Sequence, residues 1–165
     1  MIHHLPRAAT VALVAVTQLL LVGVAVAPQL SARLTGETYL LRVAPLDPID
    51  PFRGAYVTLD YPDLPTGREL DRSTGSDEPR GEVFVALREE GDVWVADAST
   101  RERPDDGPYL ACDDRDWQLR CGIDSWFLPQ DEAAAMETAL ADGAFAEVRV
   151  DGRGHAVLVD VRESP

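Results

Sequence analysis

The chain has 165 residues and a formal net charge of −14, enough length for one core of ordinary size once an apolar N-terminal segment is set aside. All fifteen basic residues are arginine, and only Arg7 and Arg33 precede the first acid, Glu37; residues 34–165 therefore set 13 arginines against all 29 carboxylates, a net charge of −16. A surface that acidic repels phosphate backbones and anionic headgroups, which argues against nucleic acid as a partner and against a peripheral membrane-binding face.

Residues 8–27, AATVALVAVTQLLLVGVAVA, form a twenty-residue run without a charge. As a helix it spans about 30 Å, the thickness of a hydrocarbon core. Its polar members are Thr10, Thr17 and Gln18, and threonine hydroxyls can bond back to helix carbonyls. A cleaved signal peptide is the competing reading, but its apolar region is normally only about 7–15 residues long. Pro28 would also follow the scissile bond after Ala25-Val26-Ala27. The segment therefore reads as an uncleaved anchor over residues 8–28, preceded by a tail over 1–7 and followed by a connector over 29–36. Arginines flank both ends, so charge does not orient it. The cysteines do: Cys112 and Cys121 lie nine positions apart across DDRDWQLR, well placed for a disulfide that persists outside the cytoplasm. The alternative is a pair of buried free thiols on the cytoplasmic side. The expectation is a domain over residues 37–165 outside the cell membrane.

Taken in order, that domain reads as mainly β, with about eight antiparallel strands and one short helix. Glu37–Val43 alternates as a strand. Ala44–Tyr61 follows, where Pro45, Pro48 and Pro51 lock φ and remove donors; this predicts a rigid extended connection, not a helix or a central strand. Gly54 then opens the alternating strand 56–61. Pro62–Arg80 shows neither period. Glu82–Leu87 and Val93–Ala98 form a hairpin about Glu89-Glu90-Gly91-Asp92. Tyr109–Cys112 and Trp117–Ile123 form a second, closed by the cysteine pair. QDEAAAMETALADG, residues 130–143, carries the helical pattern, with acids in its first turn and Gly143 at its end. Phe145–Val150 and Ala156–Val161 alternate about Asp151-Gly152-Arg153-Gly154.

The chemistry-bearing residues concentrate in residues 44–61. Asp47, Asp50 and Asp60 are the carboxylates that a hydrolase or transferase would use for acid–base work, one raised by its neighbour. The structural reading is that Asp47 and Asp50 cap turns and that Asp50 pairs with Arg53. Tyr56 and Tyr61 fall on opposite faces by parity, which places at least one in the core. Asp113, Asp114 and Asp116 lack a complete coordination pattern for a hard cation. His155 is the domain's single histidine and no nucleophile motif accompanies it. The residues predict neither a metal site nor a cofactor, and they favour binding over catalysis.

Residues 54–61, GAYVTLDY, resemble the octapeptide that names the GDYXXLXY-type membrane-anchored proteins. The resemblance extends upstream to Pro45, Asp47, Asp50, Arg53 and Gly54, and recurs in CGIDSWFLPQ from Cys121. Ala55 stands where the signature has an acid, Trp126 where a tyrosine is usual and Gln130 where an acid is usual. The resemblance implies an N-terminal anchor and, as partner, a multi-pass membrane protein. The resulting expectation is a single-pass envelope protein whose domain binds or supports a membrane partner through Asp47, Asp50, Arg53, Gly54, Tyr56 and Tyr61.

Overall fold

The computed structural model describes residues 6–47, 56–67, 69–70, 80–116, 118–127 and 143–162. One helix, α1 (Arg7–Thr35), is followed by eight strands: β1 (Glu37–Asp47), β2 (Tyr56–Asp60), β3 (Glu82–Glu90), β4 (Val93–Thr100), β5 (Tyr109–Asp113), β6 (Ser125–Phe127), β7 (Ala144–Val150) and β8 (Ala156–Arg162). The helix expected over 130–143 lies outside the described residues, except for Gly143.

The strands form two antiparallel sheets, in the order β6-β2-β1-β7-β8 and β4-β3-β5. Alternation builds both. In β7, Ala144, Ala146, Val148 and Val150 are buried and the residues between them are half-buried. The inward residues of β1, β3, β5, β7 and β8 meet in a single core that also takes in Leu70, Cys121 and Ile123. Tyr39 of β1 meets Trp94 of β4 edge to face, with centroids 4.9 Å apart, joining the two sheets. The expected β3–β4 hairpin forms, with a two-residue turn at Gly91-Asp92; Glu89 and Glu90, expected in the turn, extend β3.

Four features depart from the sequence expectations. Pro45 lies within β1, the middle strand of the larger sheet, and not in a connection beyond it. It is accommodated because the β7 pairing ends at Val43, so Pro45 is laddered only to Leu59 of β2, beside a bulge between Pro45 and Asp47. That is an edge-like position, where a missing N–H is tolerated. Among the described residues of the stretch expected as strand 117–123, the ladder reduces to a single bridge between Asp113 and Arg120. The chain makes its strand later, as β6, which pairs with β2. Residues 29–36, expected as a connector, are helical through Thr35, and Pro28 sits inside the helix.

The junction between α1 and β1 is therefore one residue, Gly36. A Cβ there would stand 2.4 Å from the Ala32 carbonyl oxygen and 3.0 Å from the Val150 backbone, so only glycine fits. Ala32 is fully buried against the domain, while the helix's large apolar side chains from Val11 to Leu34 are exposed.

Candidate functional site

The two blocks that carried the family resemblance are brought side by side. β2 pairs with β6 through Tyr56–Phe127, Val57–Trp126 and Thr58–Ser125, and the Leu59 N–H extends the ladder to the Asp124 carbonyl at 2.9 Å. On its other flank β2 pairs with the end of β1, Ala44 opposite Asp60 and Asp47 opposite Thr58. Two of the three candidate carboxylate positions, Asp47 and Asp60, thus sit two residues apart in register on neighbouring strands. Asp60 is exposed. Asp50, Arg53 and Gly54 lie outside the described residues, and Tyr56 is placed by its backbone at the start of β2.

Tyr61 is 7% exposed and its hydroxyl donates to the Ile123 carbonyl at 2.8 Å, bracing the first block against the second. Burial, and secondarily the neighbouring Asp124 carboxylate, push its ionisation far above the ordinary phenol range. Asp124 itself is half-buried. Burial raises its carboxyl above the usual range, against the lowering effect of its own N–H and those of Gly122 and Cys121. Gly122 takes φ +79, the left-handed conformation that turns the chain back on itself ahead of Asp124. Sequence reasoning passed over Asp124 as a site residue. Its signal was an acid set between Ile123 and Trp126, inside the second block. Trp126 packs on the core, and its Nε1–H is enclosed without an acceptor among the described residues.

The disulfide Cys112–Cys121 fixes the second block from the other side. Its Cα atoms are 4.2 Å apart, and Asp113 and Arg120 exchange backbone hydrogen bonds of 2.8 and 2.9 Å beside it. It ties β5 of the smaller sheet to the residue that precedes Gly122. The acids of the loop it closes are paired: Asp113 with Arg115 and Asp116 with Arg120 inside the loop, and buried Asp114 with Arg101 outside it, which donates to both of its oxygens at 3.0 and 2.6 Å. Arg101, then burial working against it, set the balance that holds the Asp114 carboxyl low. No group of three or more metal-ligating side chains occurs among the described residues.

A third constellation lies at the foot of α1. Asp151, with 3% of its side chain exposed, accepts from Ser31 Oγ at 2.6 Å, the N–H of Arg153 at 2.9 Å, the N–H of His155 at 3.0 Å and His155 Nδ1 at 3.1 Å. Burial would raise this carboxyl, but the donors outweigh it and hold it at about 2. The Asp151 carboxylate stands between the serine and the histidine, so the three do not form the nucleophile–base–orienter order of a catalytic triad. Two residues earlier, in β7, the Arg149 guanidinium donates through Nε and Nη2 to the Gly36 carbonyl at 3.1 and 2.8 Å, and through Nη1 to the Arg33 carbonyl. It caps the electronegative end of the helix. Nothing in the residue types of Ser31, Arg149 or Asp151 distinguished them in the sequence from solvated polar residues.

The two ends of β1 separate these constellations. Ten residue steps of extended chain, about 33 Å, lie between Glu37 at the helix junction and Asp47 beside β2.

Together these features define a mainly β domain of two antiparallel sheets, with two zipped sequence blocks, joined directly to an N-terminal helix long and apolar enough to cross a membrane. The chain belongs to the GDYXXLXY family: the family model described as "GDYXXLXY protein" matches residues 18–161, most of the chain, from within α1 to the end of β8. The comparisons with curated proteins and with solved structures give no match.

Proposed function

We propose that this protein is a single-pass membrane component, anchored by α1, whose β domain lies outside the cytoplasm and binds or supports another envelope protein. The observation that carries this reading is the joint at the foot of α1. A tether for an enzyme acting on diffusing substrate needs only a flexible linker. Here Gly36 alone separates helix from strand, and Ser31 and the Arg33 and Gly36 carbonyls are bonded to Asp151 and Arg149 of the domain. A clamped joint sets the domain's orientation and lets load pass between bilayer and sheet. The disulfide supports an oxidising location. The binding edge in this reading is the membrane-distal end of the sheet, where the end of β1 at Asp47 pairs with β2; Asp50, Arg53, Gly54, Tyr56 and Tyr61 are assigned to it from the sequence.

The rival reading is a membrane-anchored hydrolase or transferase using Asp47, Asp50 or Asp60. Asp124 is a carboxyl raised by burial, but the N–H groups of its own loop work against that rise. A flexible Gly-Ser linker inserted between Thr35 and Gly36 separates the two readings. A supporting protein with that linker fails to complement a deletion strain although its domain stays folded and anchored; an enzyme still complements.

A further inference from the structure

We infer that α1 associates with a second copy of itself across a seam centred on Gln18; this rests on the reading of α1 as a membrane span. Gln18 lies at the middle of the uncharged run 8–27, the depth at which a polar side chain has no water to turn to. The neighbouring Thr17 satisfies itself by donating to the Leu13 carbonyl at 2.9 Å. Gln18 has no such recourse: it is exposed, and no described residue bonds it. Its amide brings two donors and an acceptor into hydrocarbon.

The residues sharing its face are spaced alternately four and three apart: Val11, Ala15, Gln18, Val22, Ala25 and Gln29. All are exposed. That is the spacing of a left-handed helix–helix seam, and its small members allow close approach. The seam continues to Ala32, which the chain's own domain covers, so the open part ends at Gln29, just past the uncharged run.

The occupant is a second copy because the primary amide is self-complementary. Two anchors inserted in one orientation bring their Gln18 side chains to the same depth, where each donates to the other. The domain's negative charge opposes the contact at low ionic strength, so association strengthens as salt screens it.

The test is energy transfer between donor- and acceptor-fused copies of the full-length protein in vesicles, across a series of protein-to-lipid ratios. Carbonate extraction of each variant is run alongside. The wild type is expected to associate and to resist extraction. Gln18→Leu is expected to remain in the membrane but associate about three- to tenfold more weakly, with Gln18→Asn retaining association. A wild type that is monomeric at every ratio overturns the inference, whether or not a different membrane protein accompanies it. Equal association by Gln18→Leu overturns it too. Release of the wild type by carbonate removes the anchor reading, and the seam with it.

Discussion

Ser31 Oγ donates to Asp151 Oδ2 at 2.6 Å, a bond between residues 120 positions apart that closes the helix onto the β7–β8 turn. Asp151 is buried and serves four donors, so removing its carboxylate strands all of them at once. Asp151→Ala is expected to destabilise the domain by roughly 2–3 kcal/mol, measured by denaturant unfolding in detergent. A loss under about 0.5 kcal/mol would mean that the joint contributes nothing.

The same carboxylate makes stability depend on pH. Its folded value of about 2 is below the ordinary 3.8. The stabilisation is therefore complete above pH about 4 and is lost as pH falls toward 2, amounting to about 2 kcal/mol for this buried group. The difference in stability between wild type and Asp151→Asn should shrink across that window; a difference that stays flat from pH 5 to 2 contradicts the assignment.

Asp124 carries the opposite sign. Its folded carboxyl titrates above the ordinary range, so ionisation costs stability as pH rises through the two values. Asp124→Asn is expected to raise the melting temperature at pH 7–8, with the gain vanishing once the wild-type carboxyl is protonated. A loss that grows as pH rises would show instead that the loop's N–H groups require the charge.

The junction glycine gives a steric test with an internal control. Gly36→Ala forces a Cβ against the Ala32 carbonyl and the Val150 backbone, an overpacking expected to cost about 1–3 kcal/mol. Gly152→Ala meets nothing within 4 Å and should leave unfolding unchanged. Equal effects would refute the close fit.

Reduction, or Cys112→Ser with Cys121→Ser, is expected to remove roughly 2–3 kcal/mol from the domain. The unreduced protein should resist a membrane-impermeant thiol reagent. Rapid labelling without reductant contradicts the pairing.

The hairpins were legible: β7 and β8 from alternation about Asp151-Gly152-Arg153-Gly154, and β3 and β4 from apolar runs about Glu89-Glu90-Gly91-Asp92, of which Glu89 and Glu90 belong to β3. Three residues of Ser125-Trp126-Phe127 carry no period, so β6 was not; its existence depends on β2 being alongside. Apolar content made Trp117–Ile123 resemble a strand, although Cys121 and Ile123 are in fact drawn inward by the disulfide and the Tyr61 bond, not by a ladder. The anchor was drawn only to residue 28, but the helix runs through Pro28 to Thr35; a membrane-spanning helix tolerates a proline that would disfavour continuation in water. The Cys112–Cys121 pairing and the two family blocks were readable from spacing and motif. Asp124 and Asp151 were not, because burial of an acid is a property of what folds over it.

The rigid union of anchor and sheet is tested most directly by distances between spin labels in lipid nanodiscs. One label is placed in α1 at Ala27→Cys and the other at exposed Val159→Cys in β8, with Asp97→Cys and Val159→Cys as the pair internal to the domain. A clamped joint gives a helix-to-domain distribution as narrow as the internal one, broadening when Ser31→Ala and Arg149→Ala are combined. A broad distribution in the otherwise unaltered chain would contradict it.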